Sequence, residues 1–296
     1  MTRHLPQAGE PALPPWIREK KVRLAGLHEV KSLMRREGLR TVCEEARCPN
    51  RAECFAARTA TFLIGGNVCT RACGFCHVAS GRPLPLDPQE PGRVVEAARS
   101  LGLRHVVVTS VDRDDLPDGG AAHWAAVVRA LKEDDPERAV EVLTPDFGGA
   151  EASIDLVAEA GPDVFDHNVE TVPRLYPSVR PKADVARSVG LLARVKERHP
   201  GMATKSGLML GLSESDDEVL ELLALLRGAR VDIVTVGQYL RPSRWNLPVV
   251  EYAPPERFDR LKVAGEAMGF SHVFAGPFVR SSYRAEEALL ASAARR

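Results

Sequence analysis

The sequence lacks net charge. Lys and Arg together number 40 and Asp and Glu number 40, so no overall field draws the molecule to nucleic acid or to a membrane surface. It lacks any apolar run near the roughly 20 residues of a membrane-spanning helix. Its opening, MTRHLPQAGEPALPPWIREK, has no apolar core of the signal-peptide kind. These absences lead to the expectation of a soluble, cytoplasmic protein with neither nucleic-acid nor membrane partners. Cysteine is missing from most of the chain: the six present, Cys43, Cys48, Cys54, Cys69, Cys73 and Cys76, all fall in one short window of the 296 residues. A domain of this size with 44% hydrophobic residues needs no disulfide staples. Clustered thiols without a secretion signal point instead to metal ligation, since thiolates suit iron-sulfur clusters and zinc.

The length suits one large α/β domain with short extensions. Residues 1 to 16 are Pro-rich and read as a loose arm. From Val22 to Leu39, Leu24, Leu27, Val30, Leu33 and Met34 recur at helical spacing and leave a basic face, predicting a helix before the cysteines. That face either steers an acidic partner or is simply solvated. Thereafter short β-branched runs alternate with amphipathic stretches, the pattern of strand-helix units around a parallel sheet. Six strands are predicted: Thr59 to Gly65, His105 to Val111, Val140 to Thr144, Val164 to Val169, Thr204 to Gly211 and Ile233 to Gln238. A helix is expected around Glu256 to Met268. The run Ser271 to Ala275 after it either extends the sheet or leads into the tail. Polar and Gly residues collect after these strands, as in TSVDRDD, DHNVETVPR, SGLMLGLSES and GQYLRPSRWN, which puts the chemistry at the strands' C-terminal mouth.

Cys69, Cys73 and Cys76 stand in VCTRACGFCHV, on the loop after the first predicted strand. A structural zinc site closes with four protein ligands, whereas three thiolates on a four-iron cluster leave one iron open to a substrate or cofactor. Ferredoxin-type carriers space their cysteines differently and need no barrel. Phe75 either shields this site or packs the loop. Cys43, Cys48 and Cys54 form a second triplet, TVCEEARCPNRAEC, just before the barrel. A small zinc lobe there would want a fourth Cys or His nearby, so iron-sulfur is favoured.

The C-x3-C-x2-C triplet on the first strand-loop of a β/α barrel resembles the radical S-adenosylmethionine superfamily. The resemblance implies that the open iron chelates S-adenosylmethionine, that one electron cleaves its sulfonium, and that the resulting 5′-deoxyadenosyl radical abstracts hydrogen from an unreactive carbon. CEEARCPNRAEC followed by CTRACGFC is similar to the lipoyl synthase family. VTSVDRDDLPDGGA, FDHNVETVPRLYPSVRP, TKSGLMLGL, VTVGQYLRPS and GPFVRSSY carry the likeness over roughly residues 40 to 284. GLSES and Asn246 depart from the family's usual residues.

The implied fold is a partial (β/α)6 TIM-type barrel. It would comprise a cysteine-rich extension at 1–58, the barrel at 59–276 and a tail at 277–296. The implied reaction inserts two sulfur atoms, at carbons six and eight, into a protein-bound octanoyl chain. The implied cofactors are two 4Fe-4S clusters and S-adenosylmethionine, the upstream cluster being consumed as sulfur donor. A serine of RSSY, Ser282 or its neighbour Ser281, would be that cluster's fourth ligand; a lone serine would otherwise read as a turn residue. Asn168, Glu170 and Arg180, at or after one strand end, and Lys205 and Ser206, on a later strand, are the candidate S-adenosylmethionine contacts. Asp112, Arg113, Asp114 and Asp115 are either near the site or a solvated charge run. Implied partners are an octanoylated lipoyl carrier (a 2-oxoacid dehydrogenase lipoyl domain or the glycine cleavage H protein), an electron donor such as ferredoxin or flavodoxin, and an iron-sulfur carrier for cluster rebuilding. A methylthiotransferase, also a two-cluster enzyme, would carry its extra cysteines in a separate N-terminal domain. A non-catalytic iron-sulfur module would leave the strand-end motifs without purpose.

Overall fold

The computed structural model describes residues 10–18, 27–50, 53–54 and 61–282. Seven parallel strands form one sheet in chain order: β1 Thr61–Ile64, β2 His105–Ser110, β3 Ala139–Leu143, β4 Val164–Asp166, β5 Ala203–Leu210, β6 Ile233–Gln238 and β7 His272–Gly276. Between successive strands run α1 Glu90–Leu101, α2 Ala121–Asp134, α3 Glu151–Glu159, α4 Val185–Arg198, α5 Asp216–Gly228 and α6 Pro255–Ala267. The strand order never reverses, so the units wind one way into a partial barrel rather than a doubly wound sheet.

The strands are β-branched because both their faces are covered. Val106, Val108, Val140, Val142, Val234 and Val236 are completely buried, and the register sets Val108 beside both Phe62 and Val142. The helices contribute one apolar stripe each: Trp124, Val128 and Leu131 from α2, Leu191, Leu192 and Val195 from α4, and Leu222, Leu223 and Leu226 from α5. Helix ends follow local chemistry. Gly102 ends α1 at φ 63°, and Ser215 starts α5 in a capping box with Glu218.

The run at 271–275 does extend the sheet, as β7. The predicted fourth strand, Val164 to Val169, stops at Asp166. Beyond it, His167 to Val169 leave the ladder, and Glu170, at φ 65°, returns as a single bridge to Leu208. The helix predicted over Val22 to Leu39 is Leu27–Arg36; residues 19–26 lie outside the described residues. So do Thr59 and Ala60 of the first predicted strand, most of the arm at 1 to 16, and residues 283–296 of the tail. The boundary expected at residue 58 is crossed by the sheet, because Arg40–Thr41 adds to β1 as an antiparallel edge. Among the described residues, no helix is long and apolar enough to cross a membrane.

Candidate active site

A cavity of about 320 Å³ opens at the C-terminal ends of the strands, where Thr109 and Ser110 of β2, Leu143 of β3, Asn168 after β4, Met209 of β5 and Tyr239 after β6 all reach it. The segments after β1, β2, β3, β4 and β6 therefore face one mouth, while after β5 nothing of GLSES reaches it.

Gly65 and Gly66, both at positive φ, turn the chain out of β1 towards this cavity. A short parallel ladder, Val68–Cys69 with Ala79–Ser80, then closes the cysteine loop on itself. Cys69, Cys73 and Cys76 all line the cavity. Cys69 Sγ accepts the backbone N–H groups of Arg71 and Asp112, at 3.4 and 3.3 Å, an environment suited to a thiolate. Burial pushes the Cys69 thiol up to about 11 and that of Cys76 up to about 12, and it raises Cys73 as well. The thiols are thus protonated until a metal displaces the proton.

Arg71, between the first two of these cysteines, is buried. Its guanidinium meets Asp112 at 3.2 Å, Asp114 at 2.7 Å and Asp146 at 2.7 Å, fastening the loop to the ends of β2 and β3. Asp146 also accepts from Arg187 at 3.2 Å and from Gly148 N at 3.0 Å. Its carboxyl stays well below the usual range, because these partners outweigh burial. The DRDD run is divided between site and solvent: Asp112 lines the cavity and Arg113 is buried, while Asp114 and Asp115, which pairs with Arg113 at 2.8 Å, are exposed.

Cys43 and Cys48 line the same cavity; Cys54 does not. Cys43 lies in the one-turn helix Val42–Glu45, which Thr41 caps by accepting Glu44 N. Burial pushes its thiol up to about 12. Ser281 and Ser282 join this lining. Ser281 Oγ donates to the buried carboxylate of Asp166. The tail reaches this point because Asn50 Nδ2 donates to Phe278 O at 2.7 Å and because Gly237 has no side chain to block Val279. Among the described residues, no three His, Cys, Asp or Glu side chains are already gathered as a metal site.

Three of the five candidate cofactor contacts reach the cavity: Asn168, Glu170 and Arg180. Asn168 Nδ2 donates to Glu170 Oε1 at 3.1 Å, and burial raises the Glu170 carboxyl. Arg180 donates Nη1 to the carbonyls of Asn168 and Val169, at 2.8 and 3.3 Å, so this nitrogen braces the loop. Asn168 Oδ1 and Arg180 Nε are buried without protein partners. With soft thiols lining the same cavity, they fit a polar cofactor bound beside a thiolate-held cluster.

Lys205 and Ser206 are not brought to the cavity. Ser206 donates to His167 O at 2.9 Å. Lys205 Nζ lies inside the barrel, 2.8 Å from Glu141 and 4.0 Å from Asp166. The pull of Lys205 and His105 keeps the Glu141 carboxyl low despite its burial, while burial raises that of Asp166. Sequence reasoning did not single out Asp146, Asp166 or Tyr239; their charge or hydroxyl was visible, but not the depth at which the fold would set them.

Residues 63–226 match the radical SAM superfamily, whose members use S-adenosylmethionine and a 4Fe-4S cluster. The lipoyl synthase of Rubrobacter xylanophilus is 53% identical over 289 residues, covering 97% of this chain and 90% of that one. The lipoyl synthase of Caldanaerobacter subterraneus subsp. tengcongensis is 55% identical over 278 residues, covering 93% and 96%. Among solved structures, the hydrogenase maturase HydG aligns over 90% of this chain and 69% of its own, with TM-score 0.53 at 14% identity, a likeness of fold alone. The five cysteines that line this mouth thus belong to a radical S-adenosylmethionine sulfurtransferase, and the chain is a member of the lipoyl synthase family.

Proposed function

We propose that Cys69, Cys73 and Cys76 hold the cluster that binds S-adenosylmethionine, and that Cys43, Cys48 and Cys54 hold a second four-iron cluster that is the sulfur donor. The observation that carries this reading is that Cys43 and Cys48 of the upstream triplet line the same cavity as Cys69, Cys73 and Cys76. Bound there, the first cluster with S-adenosylmethionine supplies hydrogen abstraction and the second supplies sulfur.

The chain's own residues do the rest. Asn168 and Glu170 orient the polar end of S-adenosylmethionine, and Arg180 holds their loop through its carbonyls. Val42, Leu63, Phe75, Val111, Leu143, Met209 and Leu240 form an apolar lining that accepts a saturated acyl chain and keeps water from a reactive carbon. Ser282, rather than Ser281, is the fourth donor to the second cluster, because Asp166 already takes the Ser281 hydroxyl. A hydroxyl is a weaker ligand to iron than thiolate, which suits a position that must open as sulfur leaves. The substrate is an octanoyl group on a lipoyl carrier protein or domain, the electron donor is a ferredoxin or flavodoxin, and an iron-sulfur carrier rebuilds the spent cluster.

Anaerobic reconstitution tests the ligand sets. The full chain is expected to bind about eight irons and Cys43→Ala about four, two four-iron sites against one. Cys43→Ala should still form 5′-deoxyadenosine while inserting no sulfur. Loss of both activities in equal measure would contradict the separate roles.

A further inference from the structure

The loop after β6, residues 239–249, touches both cysteine segments. It is itself rigidly held. Tyr239 donates its hydroxyl to Leu247 O at 2.8 Å, and Arg241 Nε donates to Asn246 O at 2.9 Å. Glu10 accepts from Arg241 Nη1 at 2.6 Å and from Val249 N at 3.3 Å.

Two neighbouring residues of this loop grip the turn between Cys73 and Cys76. Leu247 N donates to Gly74 O at 2.9 Å. Asn246 Nδ2 donates to Cys76 O at 2.7 Å and to Gly74 O at 3.4 Å. The amide has one orientation open to it, because Ser243 Oγ donates to Asn246 Oδ1 at 2.7 Å, which leaves the NH2 group for the two carbonyls. Packing is equally close, for a Cβ on Gly74 would come within 2.7 Å of Leu247 Cδ1. From its other side Gly74 N donates to Val179 O at 2.9 Å. On the loop's opposite flank, Arg47 Nη1 donates to Pro242 O at 3.3 Å, one residue before Cys48.

We infer that Asn246 is a positioning residue for the radical chemistry. Its amide fixes the Cys73–Cys76 turn from the loop after β6, and that loop holds the segment of Cys48 through Arg47. The inference rests on the reading of Cys69, Cys73 and Cys76 as cluster ligands. Asn246 acts through the backbone carbonyl of the third ligand. Replacing its donor should therefore disturb the cluster's geometry and turnover before it disturbs S-adenosylmethionine binding.

Asn246→Asp keeps the shape but turns a second acceptor on the two carbonyls. In the full-length reconstituted chain, reduced with dithionite, the electron paramagnetic resonance spectrum of the cluster is expected to shift, with a blunted response to S-adenosylmethionine. The kcat for 5′-deoxyadenosine formation should fall about tenfold with KM little changed, the size of one lost hydrogen bond. Bound iron should stay at about eight per chain, the content of two four-iron clusters. Asn246→His, whose ring N–H can donate along a similar line, should recover spectrum and rate to within about threefold. An Asn246→Asp chain with unchanged spectrum and kcat would overturn the assignment, as would equal loss of iron from both clusters. Should Asn246→Asp not fold, Ser243→Ala frees the amide to turn and is expected to give the same spectral shift; an unaltered spectrum there overturns it as well. An unsubstituted chain with no spectrum responsive to S-adenosylmethionine would instead defeat the underlying ligand reading.

Discussion

Arg71 stands between two cysteines and holds three carboxylates, of which Asp146 is completely buried and Asp114 is 34% exposed. That difference in exposure sets an order of importance. Removing a buried partner leaves charge uncompensated in a low dielectric, whereas solvent substitutes for an exposed one. Asp146→Ala is expected to cost the metal-free chain about 3 kcal/mol in denaturant unfolding, and Asp114→Ala under about 1 kcal/mol. Equal costs would show that the network does not fasten the loop as described. The cysteines and the DRDD run were legible as chemistry in the sequence. Asp146 was not, because a carboxylate after β3 looks like any loop residue until the fold turns it under Arg71.

At the scale of elements, the start of α5 combines a capping box with an ion pair. Ser215 accepts Glu218 N at 3.2 Å, Glu218 accepts Ser215 N at 2.9 Å, and Arg174 meets Glu218 at 2.7 Å. Arg174 holds the Glu218 carboxyl at about 2, against an ordinary 4.5. A depressed carboxylate stabilises the fold fully above its unfolded value and loses that effect as pH falls through its folded value. The stability gap between the parent chain and Glu218→Gln should therefore be constant above about pH 5 and close as pH falls towards 2. A gap that widens in acid would contradict the assignment. Strand and helix periodicities were readable because packing against both sheet faces demands β-branched runs and single apolar stripes. The early end of β4 was not, because it depends on Glu170 adopting positive φ and pairing with Leu208, which no local propensity encodes. The fate of 271–275 was settled by a neighbour, β6, whose edge was open to accept it.

Across the whole molecule, the barrel has a charged interior beneath its mouth. Lys205 was readable as polar and strand-borne, and so was assigned to the mouth. Yet it lies five residues before the end of β5, deep enough to meet Glu141 instead. Depth within a barrel comes from strand register, which the sequence does not display. Lys205→Met should lower stability by about 3–5 kcal/mol by stranding Glu141, while Lys205→Met with Glu141→Leu should recover much of that loss. In both variants the affinity for S-adenosylmethionine, read by equilibrium binding, should stay within about threefold, less than the worth of one direct hydrogen bond to the ligand. A large affinity loss in the double variant would make Lys205 a contact after all.

The same view explains why the termini matter. The segment at 40–50 and the tail at 277–282 are pinned to each other by Asn50 and to the barrel by Ser281, which brings Cys43, Cys48 and the serine pair to one cavity. The most direct test incubates the anaerobically reconstituted chain with dithionite, S-adenosylmethionine and an octanoylated carrier peptide, and weighs the peptide by mass spectrometry. The account predicts a gain of two sulfur atoms with no net loss of hydrogen, each abstracted hydrogen being replaced by a thiol group that dithionite keeps reduced, accompanied by iron released from the upstream site. Abundant 5′-deoxyadenosine with no sulfur ever appearing on the octanoyl chain would contradict it.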